Sequence, residues 1–133
     1  MRNLLLAAFL VLPIAVQAAP CEGVPGEAQV TVQLTFGRAH RDGRQIDAAE
    51  WADYLAREVS ARFPGRLTVI DATAQWQHPA TKRVMGEKNS LVEIIITPSP
   101  DTWERMQALR EAYKKRFKQD SVGMVTTLSC ASS

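Results

Sequence analysis

The clearest hydrophobic pattern in the chain lies at residues 29–36, where polar and apolar side chains alternate strictly. The apolar members are Val30, Val32, Leu34 and Phe36. A period of two over eight residues is typical of a β-strand that buries one face and exposes the other. The pattern therefore predicts a first strand with Gln33 and Thr35 on its polar side.

A helix is predicted after the polar loop that follows this strand. Asp47 stands at an N-cap position and Glu50 follows three residues later, which is the signature of a capping box. Apolar residues then recur at helical spacing, and Pro64-Gly65 ends the helix. The predicted buried stripe comprises Trp51, Leu55, Val59 and Phe63.

The second strand is predicted over residues 67–77, where apolar residues occur in two alternating phases. One phase has Leu67 and Val69, and the other has Ile70, Ala72, Ala74 and Trp76. A β-bulge at Ile70-Asp71 would bring all six apolar side chains to the core side. We then expect Asp71, Thr73 and Gln75 to face outward.

The rest of the chain predicts a strand, a helix and a final strand. Residues 91–97 are apolar on both faces, which is typical of a central strand. Ser99-Pro100-Asp101 begins the second helix, and residues 122–128 form the last strand. The positions predicted to point inward are Trp103, Met106, Leu109 or Arg110, Tyr113 and Phe117 on the helix, and Val122, Met124 and Leu128 on the strand.

The order of these elements is βαββαβ, which predicts an α+β, ferredoxin-like fold. Its four-stranded antiparallel sheet has strand order 4-1-3-2, and both helices cover one face. A chain of 133 residues has room for one such domain, which we assign to residues 19–133.

The first eighteen residues have the pattern of a secretory signal. Arg2 supplies the positive charge, residues 4–16 the apolar region, and Val16-Gln17-Ala18 the cleavage site, so the mature chain is expected to begin at Ala19. The apolar region is interrupted by Pro13 and is too short for a membrane span of about 20 residues. The sequence thus predicts a periplasmic or secreted bacterial protein with no transmembrane anchor after signal removal.

Both cysteines, Cys21 and Cys130, remain after removal of the signal. One precedes the first strand and the other follows the last, and these strands are antiparallel neighbours in the predicted sheet. The order of elements therefore brings the two sulfur atoms together and predicts a disulfide. The alternatives are two free thiols, or a lipid on Cys21, although Pro20 and Ala18 depart from a lipoprotein signal.

Four segments of the chain form a recognisable pattern: residues 34–37, 50–51, 113–122 and the stretch from Phe63-Pro64 to Gln75-Trp76, which is the most specific. Together they resemble a known bacterial family, domain of unknown function 3574. The resemblance covers nearly the whole mature chain. It implies a small secreted domain and brings no activity, cofactor or catalytic residue with it.

The face of the predicted sheet that no helix covers is unusually polar. Asp71 and Glu93 would lie on adjacent strands there, where a carboxylate pair can orient a polar ligand or act as acid and base. The alternative is a solvated face. Leu91 and Ile95 on the central strand favour a partner, such as a second copy of the chain. The candidate ligand-binding residues are Gln33, Thr35, Asp71, Thr73, Gln75 and Glu93.

Charge and motif content exclude several other functions. Without Arg2 the formal net charge falls from +2 to +1, which gives no general reason to expect nucleic-acid binding. His40 and His78 lack a ligand-like spacing, so no metal site is predicted. No glycine-rich phosphate cradle occurs, and no cofactor is predicted. The basic residues Lys114, Lys115, Arg116 and Lys118 are expected to be a solvated helix end, with an anion site as the alternative.

The sequence therefore favours a non-enzymatic ligand-binding or protein-interaction module that uses the polar sheet face. Its partner would be a second copy or a cell-envelope protein. The alternative is a small enzyme in which two sheets pack face to face in a dimer. Its pocket would be lined by Asp71, Glu93, Gln75 and Thr35.

Overall fold

The computed structural model describes residues 20–65 and 67–133, so the predicted signal segment lies outside the described residues. The elements, in chain order, are β1 (Glu27–Gly37), α1 (Ala48–Tyr54) with a π-helical continuation (Leu55–Ser60), β2 (Leu67–Gln77), β3 (Val84–Ile96), α2 (Thr102–Phe117) and β4 (Gly123–Ala131). The strands form one antiparallel sheet of order β2-β3-β1-β4. The predicted βαββαβ order and strand order are both confirmed.

The core lies between the helices and the two central strands. The apolar side of β1 packs with Val92 and Ile94 of β3 against Met106 and Leu109 of α2, all nearly inaccessible. Phe36 is at its centre, with the rings of Trp51, Tyr54 and Tyr113 edge-on to it at centroid distances of 5.3, 5.6 and 4.7 Å. Such aromatic pairs stabilise a core beyond the area that they bury.

Two tyrosines join the helices to their surroundings through buried hydroxyl groups. Tyr54 donates to the carbonyl of Leu109 at 2.9 Å, and Tyr113 donates to the carbonyl of Gly37 at 2.6 Å. Burial raises the pKa of both phenols, so both remain neutral donors.

The first helix begins as predicted. Asp47 Oδ1 accepts from the Glu50 N–H at 2.8 Å, and Glu50 Oε2 accepts from the Asp47 N–H at 3.0 Å. The wider π-helical turns then place residues five apart on one face, so Tyr54 and Val59 are both buried.

The predicted bulge in β2 is wrong. Pairing with β3 is one-to-one without interruption from Leu67 opposite Ile94 to Gln77 opposite Val84. Ile70 and Trp76 are therefore turned away from the helices, where about half of each side chain is exposed. The two phases of apolar residues coexist because β2 is an edge strand, and the helices cover little of its inner side.

Three other positions predicted to point inward are exposed. Thr102 is buried on α2 in place of Trp103, which lies one position around the helix. On β4, Val122 is buried as predicted, but Met124 is partly exposed and Leu128 is 84% exposed. β4 is the other edge of the sheet, and its inner side extends beyond the helices.

The predicted disulfide is confirmed between Cys21 and Cys130, whose Cα atoms are 5.6 Å apart. A bridged Cys21 has no thiol left for a lipid. Among the described residues, no helix combines the length and the apolar character that a bilayer crossing requires.

β2 and β3 extend beyond the rest of the sheet. β1 ends at Gly37, opposite Asn89, whereas β2 and β3 continue to pair as far as Gln77 and Val84. We call the two-stranded extension, residues 73–88, the β2–β3 arm. The Arg38 N–H donates to the Lys88 carbonyl at 2.9 Å, which ties the loop after β1 to the base of the arm.

Candidate functional site

Three of the six candidate residues lie together on the side of the sheet away from the helices, which we call the open face. Gln33 and Glu93 are directly opposite each other on β1 and β3, and Gln33 Nε2 donates to Glu93 Oε2 at 3.1 Å. Thr35 lies two residues further along β1, opposite Leu91. All three side chains are partly buried, so the polar group sits in the middle of the sheet.

The other three candidates, Asp71, Thr73 and Gln75, are on the helix side of the sheet. Asp71 is opposite Ser90, which faces the helices, whereas Glu93 is three residues away and faces the opposite direction. The predicted carboxylate pair is therefore wrong. Its placement depended on the bulge, because a one-residue change of register reverses the direction of every later side chain.

Apolar side chains surround the polar centre of the open face. Ile70, Ile95 and Val125 are 51%, 43% and 60% exposed. Trp76 and Met85 are opposite each other further along and continue the apolar surface onto the β2–β3 arm. Leu91 and Ile95 were predicted to be exposed here, but Ile70 and Trp76 were predicted to be buried.

The charged residues that the described strands place on the open face are all acidic. Strand residues that face this side include Glu27, Glu87 and Glu93. Lys88 is the one Lys or Arg within the four strands as the structure describes them, and it faces the helix side. The open face thus combines carboxylates and apolar groups without any balancing cation from the strands.

A shallow groove crosses the open face near the disulfide. Its volume is about 650 Å³. Glu93, Ile95 and Thr68 form its inner part, and Glu27 and Gln29 form its outer part. This is the concave part of the open face, and it is lined by the same mixture of carboxylate and apolar groups.

A second concavity lies on the helix side, between the loop of residues 38–46 and the base of the β2–β3 arm. We call it the arm cleft. Its volume is about 410 Å³. It is lined by Arg38, Gln45, Ile46, Asp71, Ala72, Thr73, Lys88 and Asn89.

Arg38 is held rigidly in the wall of the arm cleft. Its Nη1 donates to Ser90 Oγ at 2.8 Å, and its Nη2 donates to the Ile46 carbonyl at 3.1 Å. The guanidinium also lies 4.7 Å from the centre of the Trp51 ring. Ser90 Oγ in turn donates to Asp71 Oδ1 at 3.5 Å, so Arg38 and Asp71 belong to one network.

Several other basic residues are paired within the molecule. Arg44 contacts Glu50 at 3.2 Å, Arg116 donates to Asp53 at 2.8 Å, and Lys114 contacts Glu111 at 3.0 Å. The Arg116 hydrogen bond is the main cause that lowers the pKa of Asp53. Within the described part of the chain, no carboxylate lies within the 4.0 Å of Lys88 that defines an ion pair.

The described residues include no group of three or more His, Cys, Asp or Glu side chains arranged to hold a metal ion. His40 Nε2 lies 3.6 Å from Glu50 Oε1 and contacts Arg44. It is thus part of the network around the start of α1.

Two solved structures have a similar fold. A phage SAM lyase in complex with S-methyl-5'-thioadenosine has a TM-score of 0.60 at 16% identity, over 78% of this chain and 84% of that chain. CutA from Synechococcus elongatus, complexed with Bis-Tris, has a TM-score of 0.51 at 13% identity, over 81% of this chain and 87% of that chain. At these identities the similarity shows the fold alone.

Comparison of the sequence itself gives a more specific result. No curated protein matches it. A family model described as "Protein of unknown function (DUF3574)" matches residues 31–132, which include all of α1, β2, β3 and α2.

Proposed function

The chain belongs to the DUF3574 family of proteins of unknown function, and from its geometry we propose that it is a non-enzymatic interaction module. It binds a basic protein surface of the cell envelope through the open face. The observation that carries the proposal is the combination of three carboxylates and several exposed apolar side chains on a sheet face that the described helices leave uncovered.

The chemistry of the open face determines the kind of partner. Exposed Ile70, Ile95 and Val125 supply apolar area, and Glu93 supplies a charge whose position is fixed by Gln33. A partner with Lys or Arg among apolar residues is complementary in both respects.

A second copy packed face to face is a poorer partner for the open face. A symmetric contact between two copies places the same patch on both sides of the interface. It would bring two sets of Glu27, Glu87 and Glu93 together, and like charges across an interface are destabilising. Charge therefore favours a different, basic protein.

The proposed location follows from the predicted signal at residues 1–18, with residues 19–133 as one exported domain. The disulfide supports it, because such bonds persist in oxidising compartments such as the periplasm.

The enzyme hypothesis loses its main support. It required Asp71 and Glu93 to line one pocket, and they lie on opposite faces of the sheet. Glu93 is hydrogen-bonded to an amide and can orient a ligand. The other described open-face glutamates, Glu27 and Glu87, are each six residues along a strand from Gln33 or Glu93, about 20 Å away, which is too far for paired acid and base chemistry.

The test uses a short peptide of alternating lysine and leucine as a defined basic and apolar probe, followed by NMR. We expect the peptide to shift amides of β1 and β3 next to Gln33 and Glu93. Glu93→Gln should weaken binding about tenfold, equivalent to about 1.4 kcal/mol. Glu104→Gln is the matched control, because it removes the same charge from an exposed position on α2, outside the open face and outside the other clefts described.

Three results would contradict the proposal. One is equal affinity of the wild type and Glu93→Gln, and another is a set of shifted amides confined to the helices. The third is a face-to-face dimer of the protein alone that dissociates when Ile95→Glu is introduced, since the open face would then be occupied by a second copy.

A further inference from the structure

We propose that the arm cleft is a second binding site, which takes a small zwitterion such as an amino acid or a short peptide. The site lies on the helix side of the sheet and does not depend on the function proposed for the open face. Its volume of about 410 Å³ is within the range of small-molecule sites, about 300–1,000 Å³.

Charges of both signs line the arm cleft without neutralising one another directly. Asp71 and Lys88 occupy diagonal positions on β2 and β3, a placement that separates Cα atoms by about 7–8 Å. Both side chains are exposed, and they do not form an ion pair with each other. A ligand that carries an ammonium and a carboxylate a few ångströms apart can contact both.

Each charge of the ligand has an assigned partner. Among the described residues, Asp71 receives only the 3.5 Å hydrogen bond from Ser90, so its carboxylate has capacity to accept from the ligand's ammonium. The ammonium of Lys88 and the guanidinium of Arg38 attract the ligand's carboxylate.

The cleft wall is preorganised. Arg38 is fixed by Ser90, the Ile46 carbonyl and the Trp51 ring, so it loses little side-chain entropy when a ligand binds. Ile46, which is 3% exposed, contributes an apolar part of the wall. Most of the other lining residues are polar or charged, so the cleft suits a small charged ligand rather than an apolar one.

One polar atom of the cleft wall is also incompletely paired. Arg38 Nε is buried and has no hydrogen-bond partner among the described residues. Buried polar atoms are nearly always paired in folded proteins, and an exception calls for an explanation such as a bound ion or a functional role. This atom is a second, independent sign that this wall serves a purpose other than packing.

The test is isothermal titration of the oxidised protein with glycylglycine, and with acetate and ethylammonium as probes that carry one charge each. We expect glycylglycine to bind and each single-charge probe to bind at least about tenfold more weakly. Asp71→Asn and Lys88→Gln should each reduce the affinity for glycylglycine about tenfold.

Two matched variants make the result specific. Lys82→Gln removes the same charge from the tip of the β2–β3 arm, and Glu104→Gln removes a carboxylate from an exposed position on α2; neither should change the affinity for glycylglycine. Circular dichroism confirms that each variant is folded.

Any of three results overturns the proposal: no binding of glycylglycine, equal affinity for acetate, or unchanged affinity in both Asp71→Asn and Lys88→Gln. Failure of the open-face peptide experiment leaves these outcomes unaffected, because the two sites use different residues on opposite sides of the sheet.

Discussion

At the scale of single residues, two charged side chains determine how the loop after β1 meets the rest of the molecule. Glu50 closes the capping box of α1 and contacts Arg44 within the same loop. Arg38 connects the loop to β3 through Ser90. The capping box is local in sequence and was predicted; the Arg38–Ser90 hydrogen bond joins residues 52 apart, and no spacing rule could have indicated it.

Glu50 makes the stability of the protein depend on pH in a defined range. The Asp47 backbone N–H is the main cause, and the Arg44 side chain the next, that lowers the pKa of Glu50 from 4.5 to about 2. Because the folded pKa is below the unfolded one, the contribution of the carboxylate is present above pH 4.5. It is lost as the pH falls through 2.

We expect Glu50→Gln to remove part of the decrease in stability that the wild type shows between pH 4.5 and 2. Denaturation at several pH values measures this decrease. Glu87→Gln, an exposed residue on the β2–β3 arm, is the control. Parallel pH profiles for the wild type and Glu50→Gln would show that the capping carboxylate has no such effect.

At the scale of elements, the predictions succeeded where one periodicity dominated. β1 has a single apolar phase, and its predicted buried side is confirmed. β2 has two phases, and the assumption that every apolar residue is buried led to a bulge that does not exist. An edge strand does not satisfy that assumption, because its two faces are only partly covered.

The same reasoning explains why three candidate residues were predicted on the correct face of the sheet and three on the wrong one. Gln33 and Thr35 belong to β1, whose single apolar phase defines its inner side, and Glu93 is the charged position on the face of β3 opposite to Val92, Ile94 and Ile96. Asp71, Thr73 and Gln75 follow the assumed bulge, so their direction was reversed. The arm cleft could not be predicted, because it depends on contacts between a loop and a distant hairpin.

The β2–β3 arm should be less stable than the sheet from which it extends. Two paired strands without a third are marginally stable in water, and the arm lies beyond the end of β1. We expect its hydrogen-bonded amides to exchange with solvent at least about tenfold faster than those of residues 90–94. Native-state hydrogen exchange followed by NMR measures the difference.

Amides of residues 30–36, which lie between two strands, serve as the internal reference for this experiment. Equal protection in the arm and in the reference would show that side-chain contacts at the arm's base, such as those of Arg38, stabilise it as well as a third strand would.

At the scale of the whole molecule, the order of elements was sufficient to predict the topology. Six elements in the order βαββαβ have few compact arrangements, and the antiparallel pairing of β1 with β4 places Ala28 opposite Cys130. The disulfide and the sheet therefore support each other. The partner of the open face cannot be predicted from the order of elements, because it depends on exposed side chains that the fold does not constrain.

The disulfide should make a large contribution to stability. It joins residues 109 apart, and closing so long a loop stabilises a folded chain by about 4–5 kcal/mol in the chain-entropy model. We expect Cys21→Ser combined with Cys130→Ser to lower the free energy of unfolding by about that amount, as measured by urea denaturation. The wild type with added reductant is the control, and a loss below about 1 kcal/mol in either sample would contradict the entropic account.

The position of this bond has a further consequence for damage to the protein. Every helix and strand lies between Cys21 and Cys130, except for the final residue of β4. If a protease cuts the chain once, for example at the exposed tip of the β2–β3 arm, the two fragments are still one covalent molecule. They separate only after reduction, so a nicked copy keeps its sheet in an oxidising compartment and loses it when it meets a reducing one.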